Sequence, residues 1–191
     1  MESSATETRR AGIALVGSGA YVACIAMGVM LAAGTVRAEE ATKKNWAAPA
    51  GRIAAQVLAD ETMAQHPELL SVTFHGVPPG AQDLYTMFAG SYPERVGNPD
   101  DPDDIDVIRK GITILDPRWH RTKDKDRKFV VQMPLRDAAG ANVGLIVFAF
   151  RNPKDPSTSS AEMEYLGKAA ALRDDLAKRI PSYAKLFDRA N

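Results

Sequence analysis

The sequence predicts an α+β fold: an antiparallel sheet of about five strands, flanked by a long N-terminal helix and a C-terminal helix. Three observations carry this. Residues 128–136 and 143–151 are two apolar arms joined by Asp137-Ala138-Ala139-Gly140-Ala141-Asn142, which reads as a hairpin. Helix-spaced apolar residues stand before and after the strand-rich middle. No strand–helix–strand alternation is present to sustain a parallel sheet.

Each element has its own signal. In residues 46–65, Trp46, Ala50, Ile53, Ala54, Val57 and Leu58 recur at three- and four-residue spacings, while Arg52, Gln56 and Asp60 fall elsewhere. His66-Pro67 ends that helix, because the residue before proline is pushed out of the helical region. Residues 70–75 alternate Leu70, Val72 and Phe74 against Ser71, Thr73 and His75, the pattern of a half-buried strand. Gly76-Val77-Pro78-Pro79-Gly80 makes a turn, and residues 84–89 a second strand. A loop over 90–100 leads into a short helix. Asp101 is its N-cap and Pro102 its first residue. Asp103, Asp104 and Asp106 lie toward its positive end, Arg109 and Lys110 at its negative end, and Gly111 closes it. A third strand is expected over 112–115, then a polar, basic connection over 116–127. The two arms of the hairpin are apolar at nearly every position, so they are expected to be central strands covered on both faces. Ser159-Ser160-Ala161-Glu162 has capping-box spacing. Tyr165, Ala169, Leu172, Leu176 and Ile180 then form one stripe, interrupted by Pro181.

Residues 1–38 read as an export signal and 39–191 as a single domain. Arg9 and Arg10 precede an uncharged stretch over 11–36, and Val36-Arg37-Ala38 resembles a cleavage site. A periplasmic or otherwise exported protein is expected. The alternative is an uncleaved anchor, because the stretch exceeds the ~20 residues that cross a bilayer. Thr8-Arg9-Arg10-Ala11 also loosely fits a twin-arginine signal. Cys24 is the one cysteine and belongs to the apolar segment, so a disulfide framework, a thiolate zinc site and a thiol nucleophile are excluded from the domain.

The chain carries 24 basic and 24 acidic residues, and this neutral balance argues against nucleic acid as a partner. No nucleophile elbow, phosphate-binding glycine loop or zinc motif occurs, and no enzyme activity is expected.

The hairpin Phe129-Val130-Val131-Gln132-Met133-Pro134-Leu135-Arg136-Asp137-Ala138-Ala139-Gly140, followed by Val143-Gly144-Leu145-Ile146-Val147, resembles the end of extracytoplasmic PAS-like domains called Cache domains. His66-Pro67-Glu68-Leu69-Leu70 and His75-Gly76-Val77-Pro78-Pro79-Gly80 are similar to stretches in small exported proteins of that type. The resemblance implies a sheet with a small-molecule pocket on one face, used for sensing amino acids, carboxylates or similar solutes. It implies a binding module without a cofactor. A membrane transporter or sensor would be the partner that carries the signal onward, which leaves an adaptor or interaction subunit as the alternative. A homodimer is left open.

Candidate ligand contacts follow from position. Thr73 and His75 share a strand face. Tyr85 lies on the second strand, Arg95 in the long loop and Gln132 on a central strand. Trp119 sits in the run Arg118-Trp119-His120-Arg121, where arginine and an aromatic together can grip an anion. The plainer reading of that run is a solvated loop offset by Asp124 and Asp126. His66 reads as a helix-end residue. Asp100, Asp101, Asp103, Asp104 and Asp106 do not match a calcium loop and are read as helix capping, so no metal is expected.

Overall fold

The computed structural model describes residues 42–117, 127–151 and 159–190. Helix α1 (Ala54–Gln65) leads into β1 (Leu69–Gly76) and β2 (Thr86–Gly90), and a 3₁₀ turn follows at Pro93–Arg95. Then come α2 (Pro102–Lys110), β3 (Ile114–Pro117), β4 (Lys128–Arg136), β5 (Asn142–Arg151), α3 (Ser159–Ala177) and a 3₁₀ turn at Tyr183–Phe187. The strands form one sheet in the order β2-β1-β5-β4-β3, antiparallel throughout. The α+β class and the antiparallel sheet are as expected, and the hairpin does supply central strands. β5 lies at the middle, paired to β1 on one side and β4 on the other. Pro134 is accommodated in β4 because β3 reaches only to Gln132, so no neighbour on that side calls for its missing N–H.

The sheet has two different faces. Toward α1 and α3 it presents Val72, Phe74, Phe129, Val131, Met133, Leu135, Ile146, Phe148 and Phe150, which form the main core with Leu58, Ala169, Leu172, Leu176, Ile180 and Leu186. The predicted C-terminal stripe therefore faces inward, and Tyr165 stacks on Phe129 at 4.6 Å. The opposite face is covered by α2, which packs on β1, β4 and β5. There Val107, Val130, Leu145 and Met87 are buried outside the main core.

Three element starts move by two residues or more. The helix expected from residue 46 begins at Ala54. Gly51 adopts a left-handed φ of +93°, and the N–H groups of Asn45 and Trp46 donate to the Gly97 carbonyl at 2.8 and 3.3 Å. These bonds tie the segment to the long loop, and Trp46 packs edge-on against Phe187 instead of extending α1. β2 starts at Thr86 rather than at residue 84. β3 starts at Ile114 rather than at 112, since Gly111 ends α2 in the left-handed region at φ 67°. The expected export signal over 1–38 lies outside the described residues, as does most of the connection over 116–127. Among the described residues, no helix is long and apolar enough to cross a membrane.

Gly144 shows how tightly the strands meet. Its φ is +150°, and a Cβ there would lie 2.6 Å from the His75 carbonyl oxygen, a backbone atom that cannot swing away. Gly144→Ala is expected to lower unfolding free energy by about 1–3 kcal/mol, measured by urea denaturation, through strained backbone and separation of β5 from β1.

Candidate functional site

A cleft of about 110 Å³ opens on the α2 side of the sheet. Strand alternation builds its floor: β1 contributes Ser71, Thr73 and His75, β4 contributes Lys128, Val130 and Gln132, and β5 contributes Val147 and Ala149. The start of α2 adds Asp101 and Asp104, and the loop before it adds Tyr92 and Arg95.

The inner end holds a buried polar chain. His75 Nε2 lies 2.7 Å from Thr73 Oγ1, and His75 Nδ1 lies 2.7 Å from Asp100 Oδ1. Asp104 Oδ2 stands 3.9 Å from the same Nδ1. The Asp100 side chain is wholly shielded from solvent, and its Oδ2 has no hydrogen-bond partner among the described residues. Gln132, 3% exposed, donates from Nε2 to Asp104 Oδ1 at 2.8 Å, while its own Oε1 is likewise without a partner. Burial pushes the Asp104 carboxyl above the usual range; nearby Asp100 and Asp103 add to the rise, and His75 opposes it.

Local structure fixes each member. Thr86 bridges to Pro99, and the Asp100 N–H donates to the Tyr85 carbonyl at 3.2 Å, so the loop end is clamped beside β2. Asp104 sits in the first turn of α2, where its Oδ2 accepts from the Asp101 N–H at 3.3 Å. Carboxylates are favoured at this end of a helix by its dipole.

Chemically, the two ends of the cleft differ. Asp101 and Asp104 line one side. Arg95, whose guanidinium lies 5.5 Å from the Tyr92 ring centroid, and Lys128 supply cations elsewhere on the rim. The arrangement suits a small solute that carries an ammonium and a carboxylate together. The chain Thr73–His75–Asp100 also has the order hydroxyl, imidazole, carboxylate that activates a nucleophile. Acyl transfer further needs N–H donors aimed at the developing oxyanion. β1 is paired on both edges, so the N–H groups beside Thr73 are tied into the sheet. This arrangement favours binding over hydrolysis.

Of the six predicted contacts, Thr73, His75, Arg95 and Gln132 line this one cleft. Tyr85 does not. It lies near the far end of α2, where its hydroxyl accepts from Arg109 Nε at 2.7 Å and its ring lies 5.0 Å from the guanidinium carbon. That hydrogen bond holds the Arg109 guanidinium above its ordinary range. Trp119 lies outside the described residues. Sequence reasoning missed Asp100 and Asp104 as partners of His75, because helix capping accounted for their charge. A signal was present: five aspartates in the seven positions 100–106 exceed what one helix start uses.

No family model matches the chain, and no curated protein matches it. Among solved structures it is similar to the second GAF domain of DevS from Mycobacterium smegmatis, at 16% identity over 66% of this chain and 94% of that one, with a TM-score of 0.41. It is similar to the sensor domain of DcuS from E. coli, at 14% identity over 59% and 71%, with a TM-score of 0.35. It is also similar to the inducer-binding domain of the transcription factor PobR from Acinetobacter, solved with 3-hydroxybenzoic acid, at 12% identity over 66% and 97%, with a TM-score of 0.38.

Proposed function

We propose that this chain is a non-catalytic, Cache-like sensor domain that binds a small polar metabolite in the cleft beneath α2 and acts outside the cytoplasm. The observation that carries the reading is the convergence of Thr73, His75, Arg95 and Gln132, drawn from two strands and a loop, on one polar-lined cleft. Such a concave site with a few convergent polar groups is the usual form of a ligand site. Its volume of about 110 Å³ falls below the ~300 Å³ lower range for drug-sized ligands, so a small amino acid or short carboxylate fits better than a larger metabolite. Export is supported by the arginine pair, apolar stretch and cleavage-type ending of residues 1–38. A membrane protein is the natural recipient of the signal.

A thermal-shift screen of the EDTA-treated full chain against small amino acids, short carboxylates and amines tests the binding. A true ligand at a hundred times its Kd raises stability by about 2.7 kcal/mol. Arg95→Ala is expected to weaken a carboxylate ligand about tenfold, since hydrogen bonds to charged groups contribute ~1.5–3 kcal/mol. No response across the whole library, or a response that Arg95→Ala and Gln132→Leu both leave intact, overturns the assignment.

A further inference from the structure

The inner end of the cleft has more negative charge than capping a helix calls for. Asp100 and Asp104 are two carboxylates at or near full burial, and the imidazole of His75 approaches them at 2.7 and 3.9 Å. Buried carboxylates are held only when paired or when they coordinate a metal. A single imidazole serves both carboxylates. Two oxygens in the same cluster, Asp100 Oδ2 and Gln132 Oε1, are buried and lack hydrogen-bond partners among the described residues. Unmatched acceptors beside a surplus of negative charge are what a bound cation resolves.

From this cluster we infer that His75 Nδ1, Asp100 and Asp104 form a site for a divalent transition ion of the zinc type. One ligand atom from each lies within 4.8 Å of the others. A tetrahedral ion with bonds of ~2.0–2.2 Å spaces its ligands by roughly 3.3–3.6 Å. The observed separations from Nδ1, 2.7 Å to Asp100 and 3.9 Å to Asp104, bracket that range. An ion held by Nδ1 and Asp100 Oδ1 would widen their 2.7 Å separation toward that range. The charge of such an ion would offset the two neighbouring carboxyl groups. An imidazole among the ligands favours zinc, cobalt or iron over magnesium and calcium, which take oxygen alone.

The surroundings fit as well. A ligating histidine normally gives its other ring N–H to a fixed acceptor, and Thr73 Oγ1 stands 2.7 Å from Nε2 for that purpose. Gln132 Nε2 holds Asp104 through its second oxygen, leaving Oδ2 turned toward His75. Three ligands leave a fourth position, and His75 and Asp104 both line the cleft, so a solute entering there could reach the ion. The aspartates neither match a contiguous calcium loop nor are all used in capping α2. The site is instead assembled from β1, the loop end and α2.

This inference does not rest on an organic ligand in the cleft. It is tested with zinc alone, and the ligand screen uses metal-free protein, so either reading can fail without the other. The full chain is stripped with EDTA, dialysed and titrated with zinc chloride by calorimetry, and with cobalt(II) by visible absorption. One saturable zinc per chain and cobalt bands of low coordination number are expected. His75→Gln and Asp100→Asn should each weaken zinc by more than a hundredfold. Thr73→Val, which touches only the far ring nitrogen, should weaken it ten- to hundredfold. Asp100→Asn keeps the shape of the side chain and serves if His75→Gln does not fold. Asp103→Asn, at the exposed start of α2 and outside the cleft lining, should bind as the parent does. The inference is overturned by the absence of one-to-one binding. It is equally overturned if zinc survives both His75→Gln and Asp100→Asn, or is lost only in Asp103→Asn, which would place the ion on the exposed helix start.

Discussion

His75→Ala is expected to lower the unfolding free energy of the metal-free protein by about 3–5 kcal/mol, the cost of leaving a buried carboxylate without its partner. The magnitude follows from what the imidazole leaves behind. Asp100, fully shielded, loses the partner 2.7 Å from its Oδ1 while its Oδ2 already has none among the described residues. Asp104 loses the neighbouring imidazole, which opposes the rise that burial gives its carboxyl. Thr73, 7% exposed, loses the contact of its hydroxyl with Nε2. Asp100→Asn in the His75→Ala background removes one stranded charge, so it should restore a large part of the loss. In the parent background the same substitution should destabilise. Such a sign change is read from a double-mutant cycle by urea denaturation at neutral pH with EDTA present, where coupled residues deviate from additivity by ~0.5–3 kcal/mol. A loss under about 1 kcal/mol for His75→Ala, or additive effects, would mean that water already solvates the cluster.

The legibility of these elements in the sequence follows the range of the forces behind them. β4 and β5 were plain because burial on both faces is written into every position of the two arms, and the α3 stripe because its period is local. The start of α2 was plain because Asp101, Pro102 and Gly111 act through their own backbone neighbours. The start of α1 was misjudged because the pattern of Trp46 and Ala50 continues the helical period, while the decisive bonds run to Gly97, some fifty residues away. The cleft shows the same division. Alternation along β1 put Thr73 and His75 on one face, and position in β4 suggested Gln132. Pairing of His75 with Asp100 depends on the loop end being clamped to β2, a tertiary contact that no periodicity encodes. Tyr85 failed for a related reason: it lies one residue outside β2, where strand alternation no longer dictates direction.

Phe88→Ala should be the other severe substitution, costing about 3–5 kcal/mol, as truncation of a buried aromatic does. Phe88 is 1% exposed and sits at the irregular pairing of the edge strand β2 with β1. Its ring meets Phe187 at 4.8 Å, Tyr183 at 6.1 Å and Phe74 at 6.3 Å, so it is a main link between the sheet and the C-terminal turn. That turn in turn holds the start of α1. The Ala54 N–H donates to the Asp188 carbonyl at 2.9 Å, and the Ala190 N–H to the Arg52 carbonyl at 2.8 Å. Trp46 leans on Phe187. The loss should therefore be uneven, because a cavity weakens first the element with fewest other attachments. Hydrogen exchange should accelerate at Ala54, Lys185 and Ala190 well before it does in β4 and β5. Phe88→Leu, which keeps most of the volume, should cost markedly less. Uniform loss of protection across the sheet would show instead that the C-terminal turn and the main core open as one unit.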